Sequence, residues 1–199
     1  MKSSILLLIS LMLFNLPALT QTKMIITKYD GNADSINLED IKSISFGNNQ
    51  NLIKNGEFNF ALENWLTIGQ GNNPYHPEDP GRAGFNIEGG ILEIDISNQG
   101  ISIWSIMLYQ RVIFRKGVTY SISFDAKSDS PVEILSNVCQ EGGNWTNYSG
   151  DFKFELTETM SNYSYEFTMN TEGMALFQFC LGTLGTRKIF LDNIVLKEK

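Results

Sequence analysis

Apolar and polar side chains alternate along most of the second half of the chain. Because successive residues of a β-strand point to opposite sides, each alternating run predicts a strand with one buried and one solvated face. Turn-forming residues separate the runs, and no sustained helical periodicity accompanies them. Short strands at this spacing predict an all-β domain built as a sandwich of two antiparallel sheets. The clearest runs are residues 92–96, 120–126, 152–156, 163–169 and 175–181.

The first 20 residues have a different pattern. Lys2 precedes a short, almost wholly apolar run, and small residues follow it before Gln21. This order is typical of a secretory signal peptide, and the apolar run is too short for a helix that crosses ~30 Å of hydrocarbon. We therefore expect cleavage between Thr20 and Gln21 and a secreted, extracellular protein with no membrane span. An uncleaved anchor is the alternative.

Residues 21–47 predict a short N-terminal β-hairpin. The pair Asp30-Gly31 separates two runs rich in apolar residues, and Asp-Gly is a frequent hairpin turn. Two strands alone are marginally stable in water. The glycine and asparagines that follow the hairpin have the composition of a loop, so we expect the main domain to cover residues 51–199.

Composition narrows the range of functions. The 199 residues contain 15 basic and 22 acidic side chains, for a net charge of −7, so a nucleic-acid partner is not expected. One histidine and two cysteines cannot build a zinc site of four cysteines, or one of two cysteines and two histidines. Aromatic residues reach 12%, and these are the side chains that stack on flat apolar ligands.

Several short motifs, none of them diagnostic alone, occur in a fixed order over residues 51–199. The series resembles the family 4/9-type carbohydrate-binding modules, galactose-binding-like jelly rolls found beside secreted β-glucanases and xylanases. The resemblance implies a jelly roll whose concave sheet binds a polysaccharide, β-glucan or xylan, without cleaving it. The motifs are NLIKNGEF (51–58), Trp65, ILEIDI (91–96), WSIMLYQ (104–110), GVTYSISFDAK (117–127), NWTNY (144–148), YEFT (165–168) and FLDNIVL (190–196).

Chain order in a jelly roll assigns the predicted strands to two sheets. The sheet opposite the groove would contain residues 91–96, 120–127, 163–169 and 188–196, and the groove sheet residues 104–110, 132–140, 152–156 and 175–181. In the last of these strands, Ala175, Phe177, Phe179 and Leu181 would enter the core. Leu176, Gln178 and Cys180 would then face the groove.

A glycan groove needs flat aromatic side chains for the apolar faces of sugar rings, and amides or carboxylates for the hydroxyls. The resemblance places the groove aromatics at Trp104, which would open a groove strand, and at Trp145, which lies in a polar loop. Each would stack on a sugar ring; the alternative is a plug at the end of the sandwich, which fits Trp65 better. The other expected sugar-binding residues are Gln178, Tyr109, Tyr148 and Gln140.

The resemblance also suggests a structural calcium ion on the sheet opposite the groove. Calcium prefers six to eight oxygen ligands, usually with several carboxylates. The positions assigned to it are Glu57, Asn59, Glu88 and Asp192. Asn59 stands where relatives often have an acid. The carboxylate of Asp192 lies in an apolar strand, where an arginine or backbone amides are the alternative partners.

Two other functions stay open at this point. A glycoside hydrolase needs two carboxylates across the scissile bond, but Glu93 and Asp95 begin a pattern that ends in Asn98 and belong to the sheet opposite the groove. His76 lies in a Pro-rich loop without a nucleophile motif, and no catalytic domain is expected beside the module, so enzymatic activity is not expected. The other alternative is an envelope or adhesion protein that uses the sandwich for protein contacts.

The two cysteines, Cys139 and Cys180, would lie on neighbouring strands of the groove sheet. Export permits a disulfide. A disulfide cannot bridge Cα atoms more than ~7 Å apart, and we expect two free thiols.

Overall fold

The computed structural model describes residues 23–27, 32–38, 50–71 and 73–199. The chain divides into two compact units, Met1–Gly47 and Asn48–Lys199. In the first unit, β1 (Lys23–Thr27) pairs with β2 (Ala33–Asn37) in an antiparallel hairpin. The predicted hairpin is thereby confirmed. The predicted signal peptide and the Asp30-Gly31 turn lie outside the described residues.

The second unit is a β-sandwich whose strands are, in chain order, β3 (Leu66–Ile68), β4 (Arg82–Glu88), β5 (Ile91–Asn98), β6 (Met107–Phe114), β7 (Thr119–Ser128), β8 (Val132–Cys139), β9 (Phe152–Leu156), β10 (Ser161–Thr168), β11 (Gly173–Cys180) and β12 (Arg187–Glu198). They form two five-stranded sheets. Sheet I has the order β10-β7-β12-β5-β4, and sheet II has the order β3-β6-β11-β8-β9. Neighbouring strands are antiparallel throughout, so the predicted jelly-roll sandwich is confirmed.

Each sheet contains the strands that chain order assigned to it, together with one further strand at its edge. Strand β4 was not predicted, although Ala83, Phe85 and Ile87 alternate with other residues there. Gly89-Gly90 joins β4 to β5, and both glycines have positive φ (60° and 84°), as a two-residue hairpin turn requires. The edge strand of sheet II, β3, has only 3 residues, too few to show a period.

Helical structure in the described ranges is limited to short 3-10 turns, and none of their helices is long and apolar enough to cross a membrane. The turn Ile103–Ser105 directly precedes β6. Trp104 was expected to open a strand of the groove sheet but lies in this turn instead. The turn forms because Ser105 N–H donates to Ser102 O (3.0 Å) and the Ser105 hydroxyl accepts from Ser102 N–H (2.9 Å).

The core lies between the sheets and consists of the apolar side of each alternating run. On β5 of sheet I, Leu92, Ile94 and Ile96 are fully buried. On β11 of sheet II, Phe177 and Phe179 enter the same core. Each such side chain contributes ~1.5–3 kcal/mol by its removal from water. Because side chains alternate along β11, the residues between Phe177 and its buried neighbours point away from the core.

Trp65 lies in the core, as expected. It is 6% exposed, its ring stacks on Phe58 with the centroids 5.6 Å apart, and it also meets Phe177 at 6.4 Å. Its indole N–H donates to Asn55 O (2.9 Å). A buried indole whose polar atom is satisfied by the backbone is a structural residue.

Candidate functional site

A cavity of about 350 Å³ opens on the side of sheet II that faces away from the core; we call it the trough. The alternation of β11 explains its position. Because Phe177 and Phe179 point into the core, Leu176, Gln178 and Cys180 point the other way and line the trough. The neighbouring strands contribute in the same manner: Tyr109 comes from β6, and Asn137 and Cys139 come from β8.

The floor of the trough is mostly apolar although it lies outside the core. A second buried cluster forms it, separate from the cluster between the sheets. An apolar floor with few polar groups is typical of a small-ligand site, because it removes the apolar face of a ligand from water. The cluster consists of Ile68, Met107, Tyr109, Cys139, Leu176 and Cys180.

Polar groups are concentrated at one place in this floor. Gln178 Nε2 donates to Asn137 Oδ1 (2.8 Å), and Asn137 Nδ2 donates to Asp151 Oδ1 (2.8 Å). Asn147 Nδ2 donates to the same carboxylate oxygen (2.6 Å). Gln178 Oε1 is buried and has no hydrogen-bond partner within the described part of the chain.

Both cysteines line the trough as free thiols. Cys139 on β8 lies opposite Leu176 on β11, four residues from Cys180, and a strand rises ~3.4 Å per residue. The two Cα atoms are therefore too far apart for a disulfide. Burial raises the pKa of the Cys139 thiol to about 11 and that of Cys180 to about 12. Protonated thiols of this kind are poor nucleophiles.

Trp104 forms one wall of the trough and is 46% exposed. Its 3-10 turn is fixed by Ser105, whose hydroxyl accepts from the Ile101 and Ser102 N–H groups. The same hydroxyl donates to the buried carboxylate of Asp79 (2.5 Å). A Cβ added at Gly100 would lie 2.1 Å from Ser105 Cβ, so only glycine permits this close packing. The turn thus holds the indole at the rim.

Trp145 also lines the trough and is 40% exposed. The Trp145 N–H donates to Gly142 O (3.1 Å), which closes a turn. The backbone oxygen of the next residue, Thr146, accepts from Gln140 N–H (2.8 Å). The backbone of Trp145 is left-handed, with φ 52°. This conformation costs a non-glycine residue ~1–2 kcal/mol. In this conformation of the loop, the indole of Trp145 lines the trough.

The loop of residues 73–80 lies between the two tryptophans. The ring of Tyr75 meets that of Trp145 edge-on, with centroids 4.6 Å apart, and the His76 ring lies 6.5 Å from Trp104. Asn73 Oδ1 shapes the loop by accepting from the N–H groups of Tyr75 and His76 (3.0 and 3.1 Å). Burial raises the pKa of the Tyr75 phenol, and Glu141 adds to the rise, so the hydroxyl stays protonated at neutral pH.

Residues 50–186 match the family 4/9 model that is described as a carbohydrate binding domain. The chain belongs to this family. The match covers more than half of the chain and includes every residue that lines the trough. A search of curated proteins finds no match. The chain is accordingly a carbohydrate-binding module with an N-terminal hairpin.

Solved structures resemble the module over most of its length. A structure titled "CBM4 structure and function" is 25% identical, with a TM-score of 0.67, and the match covers 74% of this chain and 99% of the other. The second N-terminal cellulose-binding domain of Cellulomonas fimi β-1,4-glucanase C is 18% identical (TM-score 0.61; 78% and 99% covered). TmCBM61 in complex with β-1,4-galactotriose is 17% identical (TM-score 0.54; 75% and 99% covered). The last two establish likeness of fold.

The fold brings together four of the six residues expected to contact sugar. Trp104, Trp145, Gln178 and Tyr109 all line the trough. Tyr109 is 7% exposed, and burial raises the pKa of its phenol, which keeps the hydroxyl neutral. Their roles as sugar contacts stay predictions, which depend on the function proposed below.

Tyr148 and Gln140 do not line the trough. Tyr148 packs against the core, and its N–H donates to Val138 O (2.8 Å), so it closes the end of the sandwich. The Gln140 N–H donates to Thr146 O (2.8 Å), which places Gln140 at the base of the loop that carries Trp145.

The trough also contains residues that the sequence analysis did not single out. Asn137 follows from strand parity, because Ile134 and Val138 on β8 enter the core. Asn147 and Asp151 flank a turn in which Gly150 N–H donates to Asn147 Oδ1 (2.9 Å). Their approach to Asn137 is a tertiary contact for which the sequence carries no periodic signal.

The four residues assigned to calcium lie at three places in the chain. Asn59 Nδ2 donates to Glu57 Oε2 (3.1 Å), and Glu88 ends β4. Burial raises the pKa of Asp192, and the nearby Asp125 and Glu57 carboxylates add to the rise. A Cβ added at Gly90 would lie 3.4 Å from Glu57 O and 3.8 Å from Asn59 Oδ1, so two oxygens face this glycine turn.

These oxygens are of the types that bind calcium, since calcium accepts carboxylate, amide and backbone oxygens. Across residues 23–27, 32–38, 50–71 and 73–199, however, no group of three or more His, Cys, Asp or Glu side chains is arranged to hold a metal ion. A calcium ion near Asp192 would therefore depend on backbone and amide oxygens as well as carboxylates.

The carboxylates that suggested a hydrolase lie on the wrong side of the molecule for the trough. Glu93 and Asp95 are on β5 of sheet I, and Glu93 is paired with Lys188 (3.0 Å). His76 does line the trough, with Nδ1 3.6 Å from Glu78 Oε1. Asp151, also in the trough, accepts two amide hydrogen bonds.

Proposed function

We propose that this carbohydrate-binding module is a secreted, non-catalytic protein that holds a β-glucan or xylan chain in the trough. The observation that supports the proposal is the pair of half-exposed tryptophans, Trp104 and Trp145, that line one cavity with an apolar floor. Indole rings bind the C–H faces of sugars, and the amide cluster around Gln178 suits their hydroxyls. The affinity expected is on the order of 10–100 μM, because few polar contacts are fixed and binding immobilises a flexible chain.

Two of the similar structures are a cellulose-binding domain and a module in complex with β-1,4-galactotriose. Both neighbours are under 20% identical to this chain, so the choice of glycan is argued from the trough. A neutral chain with equatorial hydroxyls offers flat apolar faces to the two indoles. This favours β-glucan or xylan.

A glycan array on the mature chain, followed by calorimetry with cellohexaose, laminarihexaose and xylohexaose, tests the ligand class. We expect saturable binding to at least one of these neutral oligosaccharides. Reducing-sugar release from lichenan, laminarin and xylan should stay at the level of a buffer blank. Sugar release above that level would overturn the non-catalytic part of the proposal, and an array without signal would overturn the glycan part.

The alternative function is contact with another protein, and it is suggested by two exposed apolar residues on sheet II. Ile113 on β6 and Met174 on β11 lie opposite each other and are 73% and 61% exposed. Exposed apolar neighbours of this kind are common on binding surfaces. Sedimentation that shows self-association, together with an array without signal, would favour this function over glycan binding.

We also propose that a calcium ion stabilises the module beside Asp192. The raised pKa of this carboxyl and the nearby Asp125 and Glu57 charges indicate a site where a cation would relieve repulsion. Thermal melting with 2 mM calcium and with EDTA tests this, and we expect a higher Tm with calcium. Asp192→Asn should remove the difference, whereas the matched change Asp95→Asn on the same sheet should preserve it. Equal melting of the unaltered protein in both buffers would remove the ion.

A further inference from the structure

The turn that carries Trp104 is fixed by one buried carboxylate. Asp79 is 6% exposed and does not line the trough. Its Oδ2 accepts from the Ser105 hydroxyl (2.5 Å), and its Oδ1 accepts from Gly81 N–H (2.9 Å). Ser105 is 1% exposed and is the last residue of the turn Ile103–Ser105. The position of the Trp104 indole therefore depends on a hydrogen bond that lies outside the trough.

Hydrogen-bond directions determine what residue 79 must provide. The Ser105 hydroxyl accepts from Ile101 N–H (3.1 Å) and from Ser102 N–H (2.9 Å), and a hydroxyl has two accepting lone pairs and one proton to donate. Because both lone pairs are used, that proton is donated to residue 79, where Gly81 N–H donates as well. A carboxylate supplies an accepting oxygen for each donor. The NH₂ group of an asparagine would face one of them instead.

Asp79 also belongs to the loop that contacts both exposed tryptophans. The His76 ring lies 6.5 Å from that of Trp104, and the Tyr75 ring lies 4.6 Å from that of Trp145. The Asp79 N–H donates to His76 O (3.0 Å), so the carboxylate and these two rings share one short piece of backbone. A single side chain thus connects the Trp104 turn to the segment that packs on Trp145.

The turn has a second attachment, to the residues that follow β11. Gly182 N–H donates to Ile103 O (2.9 Å), and a Cβ added at Gly182 would lie 2.0 Å from Ser102 O. This attachment does not involve Asp79. Loss of the carboxylate should therefore loosen the Ser105 end of the turn in a module that still folds, so that the effect on binding can be measured.

We propose that Asp79 is a positioning residue, which holds the indole of Trp104 at a fixed place relative to Trp145 and thereby raises the affinity of the trough without contact to the ligand. This inference rests on the glycan-binding function proposed above and names a residue outside the trough on which that function depends. A ring that is free to move must be immobilised when a ligand stacks on it, and this ordering reduces the free energy of binding.

The position of the indole is tested in the free protein by fluorine NMR. The chain has three tryptophans, so labelling with 5-fluorotryptophan gives three signals, and Trp104→Phe identifies the signal of Trp104. In Asp79→Asn this signal should shift or broaden, while that of Trp65 stays in place. The matched change Asp95→Asn, on sheet I, should move neither. An unchanged Trp104 signal in Asp79→Asn, or an equal change at Trp65, would overturn the positioning role.

Calorimetry with cellohexaose, laminarihexaose and xylohexaose tests the effect on binding. For the oligosaccharide that binds tightest, Asp79→Asn should weaken binding about tenfold, the scale of one impaired aromatic contact. In a Trp104→Ala background the same substitution should have no further effect, because the indole that Asp79 positions is absent. A tenfold loss that persists in this background would assign Asp79 a general structural role and overturn the inference.

The outcomes separate this inference from the proposed function. If none of the three oligosaccharides binds but the Trp104 signal changes as described, the positioning role holds and the proposed function fails. If an oligosaccharide binds and Asp79→Asn binds it with unchanged affinity, the function holds and this inference fails. Should Asp79→Asn not fold, Ser105→Ala removes the same hydrogen bond from its other side, and the fluorine spectrum and the Trp104→Ala background decide the matter with that variant.

Discussion

The core and the trough lie on opposite sides of sheet II and are built from the same strands. On β11, Phe177 and Phe179 enter the core, while Leu176, Gln178 and Cys180 enter the trough, and all five are almost completely buried. The two regions differ in how completely their side chains are packed. Core side chains are packed on all sides, whereas the trough keeps about 350 Å³ of open volume and a buried amide oxygen that has no partner among the described residues. Burial alone therefore does not distinguish core residues from residues of the trough.

The tryptophans show the same contrast. Trp65 is 6% exposed and its N–H is bonded to Asn55 O, whereas Trp104 and Trp145 are 46% and 40% exposed. An exposed indole adds little to stability, and its apolar face stays available to a ligand. The three residues of one chemical type thus allow stability and binding to be separated by mutation.

The largest effect is expected in the core. Trp65→Ala removes a buried ring and leaves a cavity next to Phe58 and Phe177, which should cost about 3–5 kcal/mol of the free energy of unfolding. Chemical denaturation measures this directly. Glycan binding by the fraction that stays folded should be unchanged. A stability close to that of the unaltered module would show that this ring is not a core residue.

A smaller effect, on binding, is expected in the trough. The double variant Trp104→Ala/Trp145→Ala should weaken glycan binding by about 100-fold or more, since buried aromatic contacts commonly contribute about 2 kcal/mol each. Its Tm should stay within a few degrees because both indoles are exposed. Affinity electrophoresis and thermal melting provide the two readouts. A large loss of Tm would place these rings with Trp65 and remove the contrast between the regions.

At neutral pH the smallest effect is expected from the thiols of the trough. Burial raises the pKa of Cys139 to about 11 and that of Cys180 to about 12, from an ordinary value of 9.0. Below pH 9 the thiols are protonated in both folded and unfolded chains. As the pH rises from 9 to 11 the unfolded chain loses its protons first, so the folded state loses stability.

Thermal melting between pH 8 and pH 11 checks this expectation, and the variant Cys139→Ala/Cys180→Ala should show a shallower decline. Alkylation by iodoacetamide at pH 8 should be slow in the folded module and fast in urea. Rapid alkylation of the folded module would mean that the floor of the trough is more hydrated than the core.

Strand parity made the sandwich, its two sheets and the orientation of β11 predictable from the sequence. Parity also made Asn137 predictable, and Ala83, Phe85 and Ile87 of β4, although they were overlooked. The position of Trp104 was not predictable, because its turn depends on a contact between Ser105 and Asp79, 26 residues apart. The approach of Tyr75 to Trp145 is likewise a long-range contact. Local periodicity carries no information on such contacts.

The left-handed backbone at Trp145 (φ 52°) separates the demands of folding from those of recognition. Glycine would adopt this conformation without strain, so Trp145→Gly should relieve the loop while removing a wall of the trough. On the proposed function, the strain at Trp145 is offset by ligand binding as well as by the contact of its ring with Tyr75 (4.6 Å). The same left-handed backbone at the buried Phe58 (φ 49°) is offset by packing in the core.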